Sequence, residues 1–262
     1  MFLHRCERFL NEATRLSVTG NGVRQEAGQV GQTFRMQSAG PDTKAPAPGI
    51  VATRFGIEVP QGPHLTPGMI RALQDGSFAA TQVRSALAAL RPEDRVLNLG
   101  AGPGVLAAVI ARNCRPAAIL AFERDPGMIA QARALCRHNG LEDRITLRHG
   151  EVLAGPGADE SSDPACVTSS DAGPGDVPVT RHDRLRRVYL HNVIIMDIEG
   201  AERAFLRHAN LTGVRLVLVD LHPGLYGRAG VRDCRRALGR AGYERDLGLS
   251  GAEVDVFRRV RA

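Results

Sequence analysis

The sequence predicts an α/β protein: a doubly wound, mostly parallel sheet with one antiparallel edge strand, preceded by an N-terminal helical or irregular arm. Three observations predict it. From Arg95 onward, short apolar runs alternate with segments of helical periodicity. Those runs are nearly continuous, as strands buried on both faces must be, so the sheet is parallel and covered on both sides. A glycine-rich turn joins the first run to the first helix.

Taken in order, residues 1–48 read as an arm, rich in Gly, Gln and Ser and partly disordered, with the exit Ala45-Pro46-Ala47-Pro48. Within it Phe2, Leu3, Cys6, Phe9 and Leu10 fall on one face of a short helix, Phe2 to Leu16. Residues 49–90 form an N-terminal unit of hairpin and covering helices. Gly49 to Pro60 is a strand or hairpin, and Thr66 to Leu90 is two helices broken near Gly76. Residues 91–262 form the main domain. Its strands are Arg95–Leu99, Ala117–Phe122, Ile145–His149, Leu190–Met196 and Arg215–Leu221, then Glu244–Leu249 and Val254–Val260. Its helices are Val105–Arg112, Pro126–Asn139, Gly200–Ala209 and Val231–Ala241. Residues 155–178, rich in Gly, Pro, Ser and Asp, read as a surface loop.

Composition narrows the function. Hydrophobic residues are 43% of the 262 and charged residues 24%, as in an ordinary soluble domain. The net charge is +6, but Lys44 is the only lysine and the arginines are interspersed with acids. With no Trp and 4% aromatics there is no platform for stacking bases, so no nucleic-acid partner is expected. The 5 cysteines, Cys6, Cys114, Cys136, Cys166 and Cys234, show no CxxC spacing. Neither zinc nor a disulfide framework is expected, and Cys114 and Cys136 read as small apolar residues on helices. No run is long enough to span a membrane, and Glu7 interrupts the N-terminus too early for a signal peptide. A cytoplasmic location is the expectation; oligomeric state is left open.

The turn Gly100-Ala101-Gly102-Pro103-Gly104 sits between the strand ending at Leu99 and the helix from Val105. Gly100 permits a sharp turn, and Gly102 and Gly104 without Cβ let a ligand approach the backbone. In doubly wound sheets ligands bind at the carboxyl ends of the strands, where this turn falls. Its G-x-G-x-G spacing differs from the G-x-G-x-x-G of dinucleotide sites and suits a nucleoside with an amino-acid tail better than a pyrophosphate. Glu123 follows the second strand directly, where a carboxylate accepts from both ribose hydroxyls of an adenosine. Glu151, after the third strand, is either an adenine-edge contact or a solvated acid. Together these predict an S-adenosylmethionine (SAM) site, with NAD(P) as the alternative.

These residues carry a resemblance. From about Gly76 the chain resembles a class I SAM-dependent methyltransferase of Rossmann-like fold, and within that class the FkbM family. The telling segment is Ile194-Ile195-Met196-Asp197-Ile198-Glu199-Gly200-Ala201-Glu202, similar to that family's Asp-Val/Ile-Glu-Gly-Ala/Cys-Glu signature at the fourth strand. Val177-Pro178-Val179-Thr180-Arg181-His182-Asp183 and Val217-Leu218-Val219-Asp220-Leu221-His222-Pro223 are similar to the flanking segments. Asn98 stands where the class has an acid, and Arg124 where it has proline. The resemblance implies O-methylation of a hydroxyl on a sugar, glycolipid or secondary metabolite. It assigns Asn98, Gly100, Ala101, Gly102, Gly104, Glu123, Arg124 and Glu151 to the cofactor.

Methyl transfer needs in-line alignment and, for an alcohol, a base. Asp197 ends an apolar strand, where an acid is costly unless hydrogen-bonded or facing a cleft. It is either a cleft residue or the cap of the next helix, as is Glu199; Glu202 reads as completing that helix start. His222, just past the fifth strand, has the intrinsic pKa of a general base or is a backbone-bonded loop histidine. Asp197, His222 and Glu199 are the catalytic candidates. Asp220 shares a strand face with His222, but no compact metal-ligand cluster is visible. Three other readings stay open: an NAD(P)-dependent oxidoreductase, a non-catalytic adapter that keeps the fold, and a nucleic-acid methyltransferase. For the last, the Asp197-Ile198-Glu199-Gly200 segment is the wrong motif.

Overall fold

A computed structural model describes residues 47–155, 177–252 and 254–260, all within one compact unit, Pro46–Ala262. The helix expected at Phe2 to Leu16 and most of the 155–178 stretch lie outside the described residues. A hairpin opens the unit: β1 (Ile50–Arg54) and β2 (Ile57–Pro60) turn through Phe55 and Gly56, both at positive φ (50° and 73°), as a two-residue hairpin turn requires. Then come α1 (Pro67–Asp75) and α2 (Ala80–Ala89). Thr66 caps α1, its hydroxyl accepting from Met69 N at 3.2 Å, with Pro67 pre-set for the first turn.

The main sheet alternates with helices as expected: β3 (Arg95–Leu99), α3 (Val105–Asn113), β4 (Ala118–Glu123), α4 (Pro126–His138) and β5 (Ile145–His149). After these come β6 (Glu151–Leu153), β7 (Val179–Arg181), α5 (His182–Tyr189), β8 (Val193–Met196) and α6 (Glu202–His208). The last elements are β9 (Leu216–Asp220), α7 (Pro223–Arg240), β10 (Tyr243–Arg245) and β11 (Val254–Arg259). The seven-stranded order is β10-β11-β9-β8-β3-β4-β5, and β11 alone runs antiparallel to its neighbours. The antiparallel strand therefore lies one place in from the edge, with β10 outside it.

Two layers of helices cover this sheet. Along β3, Val96 packs with Leu73 of α1, Val83 of α2, Ile110 of α3 and Leu135 of α4. Leu97 and Leu99 face the other way, toward Leu185 of α5, Phe205 of α6 and Leu238 of α7. Each fully buried aliphatic side chain contributes roughly 1.5–3 kcal/mol, so these two faces dominate the stability. Strand order reverses at β3, which lies between β4 and β8 and parallel to both, and this switch opens a crevice at the carboxyl end of the sheet.

Several local expectations needed correction. Helix α5 and the parallel pair β6–β7 were not anticipated. Helix α5 is eight residues long and buries only His182 and Leu185. The last helix starts at Pro223 rather than Val231, because Gly227 (φ 66°, ψ 175°) interrupts it and its first stretch is glycine-rich. Leu249 is not in a strand: Asp246 Oδ1 accepts from Gly248 N and Leu249 N, which turns the chain after β10. Cys114, Cys136 and Cys234 are buried, and burial pushes the thiols of Cys136 and Cys234 up to about 11.

Candidate functional site

The glycine turn is held by the strand next door. Gly100 N and Ala101 N both donate to Phe122 O, at 3.0 and 2.9 Å, and Gly104 N donates to Ala101 O at 3.0 Å. Gly102 N donates to Glu123 Oε2 at 2.7 Å, while Glu123 Oε1 accepts from Asp125 N at 2.8 Å. The carboxylate expected at the ribose therefore lies across the turn, 8% exposed, with lone pairs left on both oxygens.

The glycines play different parts. At Gly100 (φ 79°) an added Cβ would lie 1.7 Å from Asp197 O, so this residue admits the backbone that follows β8. At Gly104 it would meet Ala132 Cβ at 2.9 Å, which corrects the expectation of ligand approach there: the room belongs to α3–α4 packing. Only Gly102 (φ 52°) faces open space, with nothing within 4 Å. Asn98 is buried on β3, and its Nδ2 has no hydrogen-bond partner among the described residues. Arg124 is exposed. Glu151 is half-buried at the start of β6, and the preceding Gly150 N donates to Glu123 O at 2.9 Å, so the segment runs alongside the carboxylate's own residue.

A second cluster forms where β8 and β9 end. Gln82 of α2 donates through Nε2 to Asp197 Oδ2 at 2.9 Å and to Asp220 Oδ2 at 2.8 Å. His222 Nε2 lies 3.4 Å from Asp197 Oδ1, and Nδ1 lies 3.2 Å from Glu202 Oε1. The Nδ1 approach is close enough for an ion pair with a protonated ring but poorly aligned for a hydrogen bond. Glu202 is fully buried and accepts from Ile198 N and Gly200 N, both at 3.0 Å, so it secures the loop before α6. Tyr226 accepts from His222 N through its hydroxyl at 2.7 Å, and burial raises its pKa.

Asp197 and His222 are thus brought together, and Glu199 is not. Glu199 is exposed at φ 47°, with no polar partner among the described residues. Neither acid caps α6, whose N-cap is Ala201 with no side-chain bond. Gln82 was overlooked; the signal was a polar residue on the apolar stripe of α2, beside Val83 and in line with Ala86. Among the described residues no group of three or more His, Cys, Asp or Glu is arranged to hold a metal ion. No helix among them is long and apolar enough to cross a membrane.

A family match covers the glycine turn and Glu123. Residues 96–176 match the sequence model of a family described as "Methyltransferase domain". A curated relative, the protein-L-isoaspartate O-methyltransferase of Rhodopseudomonas palustris (strain BisB18), is 35% identical over 147 residues, which is 53% of this chain and 63% of that protein. The chain therefore spans less than two thirds of that relative's length. Among solved structures, the methyltransferase FkbM of Methylobacillus flagellatus KT is 17% identical, with 67% of this chain and 46% of that chain covered and a TM-score of 0.44. TYW2 of M. jannaschii, solved in complex with AdoMet, is 12% identical, with 80% and 85% covered and a TM-score of 0.44.

Proposed function

We propose that the chain is a SAM-dependent methyltransferase acting on a hydroxyl of a sugar, glycolipid or secondary-metabolite acceptor. One observation carries the cofactor half: Glu123 is fixed across the open face of Gly102 by the Gly102 N–H. The residues fit the group. Glu123 retains acceptor capacity for a ribose diol, Gly102 leaves space for the nucleoside, and Asn98 Nδ2 is a buried donor still to be satisfied. Four amides of the turn are already bonded within the protein, which leaves a pyrophosphate fewer donors than a dinucleotide site provides.

When bound, SAM supplies a methyl group on a sulfonium, a good leaving group. The chain's own residues align the acceptor and take its proton. His222 is the base, removing the hydroxyl proton and passing it to solvent. The proton goes to Nε2, while Nδ1–H faces the buried Glu202, which fixes the tautomer and the ring, and the nearby Asp197 carboxylate balances the imidazolium that forms. Gln82 keeps the Asp197 and Asp220 carboxylates in place.

Calorimetric titration of the full chain with SAM, S-adenosylhomocysteine and NADH tests the cofactor. Saturable heat with the first two and none with NADH is expected; the reverse pattern overturns the proposal. A second acceptor class has support from the curated relative, whose name describes O-methylation of protein L-isoaspartate. A screen for S-adenosylhomocysteine release should therefore pair hydroxyl compounds with an isoaspartyl peptide; turnover of the peptide alone would replace the hydroxyl reading.

A further inference from the structure

Beside His222 lies a cavity of about 320 Å³, at the small end of the usual range for small-molecule sites. Leu221 and Pro223, the residues on either side of His222, line it, with Arg228, Arg232 and Arg235 of α7 and Ala252 ahead of β11. The three arginines sit four and three positions apart, on one helical face. Gly227 breaks the helix just before them, so Arg228 opens its second stretch.

Like charges at this spacing repel, and the fold does little to offset them. Arg235 Nε donates to Asp255 Oδ2 at 2.7 Å, but that carboxylate also serves Arg245, at 2.6 Å. Arg228 and Arg232 are exposed and have no ion pair or hydrogen bond among the described residues. On another side of the same helix, Arg236 lies 3.8 Å from Asp233, and Asp233 also holds Arg203 at 2.7 Å. Two adjacent uncompensated guanidiniums, Arg228 and Arg232, therefore stand together on the cavity face. Guanidinium forks match the paired oxygens of phosphate and carboxylate.

We propose that this cavity binds an oxyanion, a phosphate or carboxylate carried by the methyl acceptor, and so seats an acidic acceptor next to His222. Its description as an acceptor site rests on the methyltransferase reading; the anion site rests on the arginines alone. The test titrates the full chain with inorganic phosphate, and separately with citrate, by calorimetry at low ionic strength. The comparison chains are an R228A/R232A double variant and R240A, which removes an exposed arginine outside the cavity.

One saturable site is expected, weakened at least about tenfold in the double variant and unchanged in R240A. The stronger of the two probes tells phosphate from carboxylate. Equal binding by all three chains, or none by the wild type, overturns the inference. SAM titrations of the same proteins keep the two readings apart. Phosphate binding without SAM binding would sink the methyltransferase reading and leave the anion site. SAM binding without an arginine-dependent anion site would sink only the latter.

Discussion

The Gly102 N–H and the Glu123 carboxylate meet at 2.7 Å, joining the turn after β3 to the end of β4. The residue expected to grip the ribose is thus also a fastener of the loop over which the nucleoside would lie. Glu123→Ala should lower SAM affinity at least about tenfold and cost about 1–3 kcal/mol of stability, because two backbone donors lose their acceptor. Calorimetry and thermal melts read the two effects; unchanged affinity would remove Glu123 from the cofactor site.

The glycines should separate by substitution. Gly100→Ala drives a Cβ onto Asp197 O, a backbone atom with nowhere to retreat, so a loss of about 4 kcal/mol or failure to fold is expected. Gly102→Ala meets open space and pays only for its left-handed backbone, about 1–2 kcal/mol, yet it should lose SAM binding. Melting temperature against SAM affinity distinguishes the pair.

Removing the amide at Gln82 should loosen the base. Gln82→Leu leaves two carboxylates facing one another without their shared donor, so turnover should fall about tenfold or more while SAM affinity holds. Partial recovery in Gln82→Asn would argue for hydrogen bonding over packing. Equal turnover in Gln82→Leu and wild type would show that the bridge is idle.

His222→Ala should abolish turnover with SAM affinity mostly kept, since the proposed base acts on the acceptor and not on the cofactor. Normal turnover by this variant would rule His222 out as the base.

A histidine pair away from this site sets an acid limit. His182 and His191 are fully buried with their Nε2 atoms 3.2 Å apart, so one must donate and the other accept. Burial lowers their pKa values to about 4 and about 3. Asp183 opposes the shift at His182, and Arg186 adds to it at both. The unfolded chain binds more protons than the native one below the ordinary histidine value, so stability is full above about pH 6.5 and declines toward pH 4. The loss is on the order of 3 kcal/mol for each histidine and should shrink in His182→Gln, as urea melts between pH 4 and 7 would show. A pH-independent difference between the two proteins would contradict it.

The sheet was legible because its signal is collective. β8 is a continuous apolar run, and β3 is apolar from Val96 to Leu99 except at Asn98. Helix α5 was hidden because it is short and only two of its side chains are buried, although His182, Leu185 and Tyr189 recur at helical spacing. At the candidate site, Glu123, Asp197 and His222 could be picked out because each stands at or just past the carboxyl end of a strand. Gln82 could not, since its role depends on α2 docking over strands more than a hundred residues downstream. The task of Gly104 was likewise invisible, because it is set by Ala132 of another helix.

The contact between Gly100 and the Asp197 carbonyl has a wider consequence. Asp197 N donates to Leu99 O at 2.9 Å, so main chain meets main chain where β3 and β8 emerge. The floor of the cleft is set by peptide geometry, which side-chain replacement cannot widen. Variation in what this scaffold accepts is left to the rim, whose residues can change without disturbing the seam beneath them.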